Sequence, residues 1–278
     1  MTTFQAVINA ILYGSSEILP VGASAHLLLP HYVVGWAPPP NILLGAFNAG
    51  AAISLLIYFR DDWASMVSSL IRIILFRKQP MAMDEQLPLY SMVAIIPASL
   101  ASYLLPQMIL FHLSKPYIVA ATLAFTGLLL GISDTRSKHQ KGMPHWNLLD
   151  SCLVGIGQLL LIVPGSGIQT GGLIIALARN YKREAAIKFV FFVITPFLIT
   201  NAILNLKILD FSKAMPDNDL SWLSLAAGFV VSLATSLIVL SSFIKSLQQN
   251  GFMRLGLYRV LIAIVLAAAF WLNSASIS

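Results

Sequence analysis

The chain has 278 residues, of which 58% are hydrophobic and only 10% charged, with a mean hydropathy of +0.82. Soluble domains carry roughly 25% charged residues, so a soluble fold is excluded and one polytopic membrane domain spanning 1–278 is expected. The net charge of +6 does not signal nucleic acid, because no basic patch is interleaved with aromatics, and the lone Cys152 excludes internal disulfides and cysteine-based metal sites.

The N-terminus lacks a basic stretch and a small-residue cleavage site, so no cleaved signal peptide is expected. Segment 4–33 is apolar but interrupted at Gly14, Pro20 and Gly22. Glycine and proline break helices, and the backbone amides they free find no partner in lipid. The segment therefore reads as two half-helices joined at mid-membrane. A span follows at 40–59, then 61–77, where Trp63, Met66, Leu70, Ile73 and Ile74 recur at helical spacing as in an interfacial amphipathic helix. Spans at 88–106 and 115–132 complete a first repeat, about 1–135. Segment 147–178 is broken again, at Pro164-Gly165 and Gly171-Gly172, and spans at 184–206, 222–244 and 256–273 close a second repeat, about 147–278.

Each half thus reads as one broken segment and three spans, and an odd number of crossings inverts the second half relative to the first. Charge placement agrees. The loops 60–87, 133–147, 179–188 and 245–259 hold 14 of the 17 basic residues, leaving Lys115, Lys207 and Lys213 for the other side. That bias makes the basic side cytoplasmic, and it requires both broken segments to be re-entrant. The expected fold is all-α and integral to the membrane, with six transmembrane helices and two opposed re-entrant hairpins in an inverted repeat.

Half-helix ends at mid-membrane offer unpaired amides and partial positive charge to an anion. Glu17 lies in the first break of an apolar run, where a carboxylate reads as functional, although it can also cap the second half-helix. His26 follows six residues after Pro20 and either faces Glu17 as an acid/base partner or packs as a core histidine. Ser24 is the best-placed nucleophile; Ser15 and Ser16 read as close-packing residues. In the second half Gln158, Ser166, Gln169 and Thr170 supply neutral donors, while Gly165, Gly167, Gly171 and Gly172 either permit close backbone approach or serve helix packing. No metal cluster is visible, because Glu17 is the one acidic residue well inside either break.

The stretch Tyr13 to Leu27 resembles the first motif of the undecaprenyl-diphosphatase family, the bacitracin-resistance phosphatases, roughly E-G-x-x-E-F-L-P-V-S-S-S-G-H-L. It keeps Gly14, Glu17, Leu19, Pro20, Val21, Ser24 and His26. Pro164-Gly165 and the run Arg183 to Phe191 match the second motif, P-G-x-S-R-S-G-A-T with R-E-A-A-x-x-F-x-F at its spacing, and Gln158 and Leu257-Tyr258-Arg259 are similar to family features. The resemblance implies a bacterial inner-membrane protein that acts on a polyprenyl (di)phosphate lipid carrier in cell-envelope recycling. It further implies Glu17, His26 and Ser24 as catalytic residues, and Gln158, Ser166, Gly167, Gln169, Thr170 and Gly171 as substrate-binding ones. A divalent cation (Mg or Ca) and a homodimer are also among its implications.

The chain departs from the pattern at the chemistry itself. Tyr13 replaces the first Glu, Gly22 and Ala23 replace two serines, and Gly167, Ile168 and Gln169 replace Ser, Arg and Ser. Losing the Arg removes a bidentate phosphate clamp. Arg179 lies roughly 16 Å further along a helix, at 1.5 Å per residue, and does not reach. Three readings follow: a hydrolase of undecaprenyl diphosphate, a non-hydrolytic carrier, flippase or binder of an anionic polyprenyl lipid, and a structural subunit with a vestigial site.

Overall fold

The computed structural model describes residues 1–77, 79–80, 82–104, 113–207, 221–247 and 251–275. Lys78, counted above with the basic loops, and Lys213, counted on the other side, lie outside them. Eleven α-helices carry the described chain. They are α1 (Thr3–Ile18), α2 (Ala23–Val34), α3 (Asn41–Tyr58), α4 (Arg60–Phe76), α5 (Met83–Leu104), α6 (Pro116–Arg136), α7 (Leu148–Gln158), α8 (Thr170–Ala178), α9 (Arg183–Lys207), α10 (Trp222–Leu247) and α11 (Met253–Ala275).

Five of these helices are long and apolar enough to cross a membrane: α3, α6, α9, α10 and α11. Apolar side chains such as Phe125, Ile238, Ile264 and Leu272 stand exposed on three of them, as a lipid-facing surface requires. The sixth expected span falls on α5, whose apolar run is interrupted by Pro88 and Pro97 and which is not among the five; residues 105–106 of that span lie outside the described chain. Helix α4 covers the expected amphipathic stretch, with Met66 buried and Ile74, Leu75 and Phe76 exposed.

The first broken segment divides at 19–22, between α1 and α2. Gly14 is not a break. It sits inside α1, where a Cβ would lie 2.8 Å from the Ser232 carbonyl oxygen, so it lets α10 pack close. The second broken segment runs from α7 through a 3₁₀ turn, Leu159–Ile162, and an irregular loop at 163–169 into α8. Gly171 and Gly172 are likewise helical rather than a break. A Cβ at Gly171 would collide with the Gly157 carbonyl, so the glycine serves the crossing of α7 and α8.

Packing partners follow a pattern of exchange between the two halves. Helix α1 packs on α10, and α7 packs on α5; α2 packs on α11, and α8 packs on α6. Helices α3 and α9 pack on each other, as do α6 and α11. Helix α9 forms the centre, with Phe189, Val190, Phe191, Phe192 and Val193 fully buried.

The basic loops converge on two buried carboxylates. Arg183 grips Asp134 through two parallel bonds, Nε to Oδ1 at 2.7 Å and Nη2 to Oδ2 at 3.1 Å, and the Phe252 amide also donates to Asp134. Asp150 accepts from Arg179 (2.6 Å), Tyr181 (2.7 Å) and Lys141 (3.2 Å). Burial alone would raise the Asp150 carboxyl, but those three donors outweigh it and hold it below the usual carboxylate range. The same contact and burial push the Tyr181 phenol up. Trp146 stacks between Tyr181 and Phe189, with ring centroids 3.9 and 3.8 Å away. Arg179 is thus committed to Asp150. Arg259, counted above with the basic loops, is instead fully buried at the meeting point of the two broken segments.

Candidate active site

The two breaks touch each other. The Gly165 amide donates to Ser24 Oγ at 2.8 Å, and the Gln169 side-chain amide donates to the Glu17 carbonyl. Gly22 (φ +85°) and Gly167 (φ +79°) face one another in left-handed conformations that side chains rarely adopt. A Cβ at Gly22 would lie 2.7 Å from the Gly165 carbonyl oxygen, and one at Gly167 would lie 3.2 Å from Gly22 Cα. Two of the family's serines are therefore replaced by glycine where the two breaks approach each other closely.

Arg259 fastens this junction from behind. Its guanidinium donates to the carbonyls of Pro20 (2.9 Å), Leu123 (3.2 Å), Gly165 (3.1 Å) and Ser166 (2.7 Å), and to the hydroxyls of Thr170 (2.7 Å) and Thr126. It makes no ion pair among the described residues. One cation from α11 thus satisfies loop carbonyls from both breaks, which lipid cannot do.

In front of the junction lies a cavity of about 290 Å³, walled by Tyr13, Glu17, Ser24, Ser166, Gly167 and Ile168 and by Asn48, Asn201 and Asn205 from α3 and α9. Glu17 is 7% exposed, and its carboxylate makes no hydrogen bond or ion pair among the described residues, so it is free to act on whatever enters. The Tyr13 hydroxyl donates to Asn48 Oδ1 at 2.9 Å. A neutral pair thus occupies the place of the family's first carboxylate. The amides of Gly167 and Ile168 make no hydrogen bond among the described residues and remain available as donors on the wall.

Of the expected site residues, Glu17, Ser24, Ser166 and Gly167 are brought together on that wall. The Ser166 hydroxyl is spent on the Leu160 carbonyl at 2.6 Å. Gln169 and Thr170 are buried behind it: Gln169 ties the breaks together by donating to the Glu17 backbone carbonyl, and the Thr170 hydroxyl accepts from Arg259. Gly171 is in the first turn of α8 against α7, and Gln158 is buried beside Gly172 with no hydrogen-bond partner for its amide among the described residues.

His26 is not paired with Glu17. Its Nδ1–H donates to the Gly22 carbonyl at 2.9 Å, and its Nε2 lies 2.9 Å from the Tyr258 hydroxyl, whose ring it stacks on. It faces a separate cavity of about 200 Å³ with Ser15, Ser16 and Leu255. Ser24 and His26 are two residues apart on α2, about 200° round the helix at 3.6 residues per turn, so Ser24 faces one cavity and His26 the other.

Arg259, Asn48, Asn201 and Asn205 were not singled out as site residues in the sequence. Each is a polar or charged residue within or beside an apolar run, the signal by which Glu17 was found. Arg259 was absorbed into a loop by its nearness to Arg254, and the asparagines are uncharged.

A multi-pass helical membrane protein with a cavity of mixed polar and apolar lining where two helix-breaking loops meet is the class that these features define. The family model described as Bacitracin resistance protein BacA matches residues 6–265, and the chain belongs to that family. A protein of Gemmatimonas aurantiaca named undecaprenyl-diphosphatase is 31% identical over 270 residues, covering 96% of this chain and 98% of its own length. Proteins of the same name from Moorella thermoacetica (30%) and Alcanivorax borkumensis (29%) each align over 98% of this chain and 100% of theirs.

Proposed function

We propose that this chain dephosphorylates undecaprenyl diphosphate in a bacterial inner membrane, with the cavity between the two breaks as its site. The observation that carries the reading is the free Glu17 carboxylate beside Ser24 and the open Gly167 and Ile168 amides, in a chain matched end to end by proteins named for that activity. Water attacks the terminal phosphorus, the P–O bond to the bridging oxygen breaks, and inorganic phosphate and the lipid monophosphate result. Glu17 takes the proton of the attacking water. The loop amides and the Ser24 hydroxyl, whose oxygen already accepts from Gly165, donate to the phosphoryl oxygens as charge shifts onto the bridge.

A divalent ion fits this wall in one way. Magnesium commonly uses one or two carboxylates together with substrate phosphate oxygens, and Glu17 is the one carboxylate lining the cavity among the described residues. Glu17 and the diphosphate would hold the ion, which would neutralise charge on the phosphate.

The re-entrant reading of the breaks is supported by length. At 1.5 Å per residue, α2 is about 18 Å long and α8 about 14 Å, against a hydrocarbon core of about 30 Å. The exchanged packing partners, α1 with α10 and α7 with α5, support an inverted duplication. Those partners also favour the second reading, a carrier that moves the lipid head group without breaking a bond. Purified protein in liposomes separates the two: phosphate release from undecaprenyl diphosphate supports the hydrolase, and Glu17-dependent movement of lipid without release supports the carrier.

A further inference from the structure

The cavity has a second end that the hydrolytic reading does not use. Beyond the loops, α9 places Asn201 and Asn205 one turn apart on the face that looks into the cavity, and α3 adds Asn48. These residues lead toward the C-terminal end of α9, where Asn205 Cβ sits against Gly45 at the start of α3.

Their hydrogen-bonding capacity is only partly spent. Asn48 accepts from Tyr13 and donates one proton to the Leu44 carbonyl at 2.7 Å; Asn201 donates one to the Phe197 carbonyl at 3.0 Å. Among the described residues, one N–H of Asn48, an N–H and the carbonyl of Asn201, and the amide of Asn205 have no hydrogen-bond partner, and all three residues line the cavity. Each carboxamide offers donors and an acceptor. A phosphate at neutral pH accepts almost exclusively, so the amide carbonyls at this end give it nothing. No lysine or arginine lines the cavity among the described residues, and Arg259 has committed its guanidinium to six acceptors. A hydroxyl donates and accepts at once, and several on one ring match a mixed wall of this kind.

We infer that the Asn48–Asn201–Asn205 end of the cavity is a subsite for a neutral, hydroxyl-rich group, a single sugar, carried on the phosphate of a polyprenyl lipid. The inference rests on the reading of the loop end as the phosphate site. It assigns the other end a different chemistry: the lipid head that this chain holds best extends past its phosphate into a polyol.

Binding to detergent-solubilised full-length protein tests it with two probes, a short-chain prenyl phosphate and the same compound bearing one glucose on its phosphate. The glucosylated probe is expected to bind roughly tenfold more tightly or better, as a few added hydrogen bonds allow. Asn201→Leu and Asn205→Leu are expected to bring that ratio to about one. Equal or weaker binding of the glucosylated probe by the wild-type protein overturns the subsite without reference to any variant, and so does a ratio that survives both substitutions. Failure of both probes to bind overturns the phosphate site as well. Phosphate release from undecaprenyl diphosphate without sugar preference separates the two claims, sinking the subsite alone.

Discussion

Arg259→Lys is the substitution whose cost the structure fixes best. It keeps a cationic side chain at the site, although the more strongly hydrated ammonium costs more to bury than the guanidinium. What also changes is reach. The guanidinium makes six hydrogen bonds in a planar fork, whereas an ammonium has three protons on one point. The carbonyls of Pro20, Gly165 and Ser166 have no other hydrogen bond among the described residues. Each buried carbonyl left unpaired costs about 1–3 kcal/mol, so two unmet carbonyls cost about 2–6 kcal/mol. That is a large share of a typical domain stability of about 5–15 kcal/mol. Unfolding in mixed micelles, with phosphate release measured on the same preparation, reads both effects. Destabilisation in that range with at least a roughly tenfold fall in release is expected. A lysine variant within about 0.5 kcal/mol of wild type and fully active would refute the idea that Arg259 holds the two loops in register.

Other substitutions test the departures from the family pattern. Ile168→Arg places a guanidinium on the cavity wall where the family carries one, and phosphate release is expected to rise roughly tenfold or more; no gain would mean that the wall does not contact the phosphate. Gly22→Ser restores a family serine but forces a side chain into φ +85° and against the Gly165 carbonyl. It is expected to lose at least about 1–2 kcal/mol of stability and to gain no activity, and a more active serine variant would contradict the geometry. Asp150, held below the usual carboxylate range, contributes stability that is present above about pH 4 and is lost as pH falls through its lowered value. Melting in detergent is therefore expected to weaken below about pH 4 in the wild type. Asp150→Asn should melt lower at neutral pH and lack that part of the acid loss, and a variant with an unchanged acid profile would remove Asp150 from the account.

Much of the helical framework was legible because lipid imposes a simple rule: long apolar runs become helices, and interruptions collect at functional places. The breaks at 19–22 and 163–169 were found that way, and they do meet. Gly14, Gly171 and Gly172 were misread as breaks because glycine also serves close helix crossings, and spacing alone does not separate the two uses. The expected Glu17–His26 pair failed for a rotational reason. Whether a residue shortly after a bend faces its partner depends on the loop dihedrals at 19–22, which composition does not encode. Arg259 was hidden because a charge near the end of an apolar run reads as a loop residue until the packing of α11 on α6 and α2 is seen.

The most direct test of the central claim is turnover of undecaprenyl diphosphate by purified wild-type protein and by Glu17→Gln, which matches the side chain in size but takes no proton. Release of inorganic phosphate by the wild type, reduced roughly a hundredfold or more in the variant with lipid binding retained, is the predicted result. No release by the wild type, or equal release by both proteins, would contradict it.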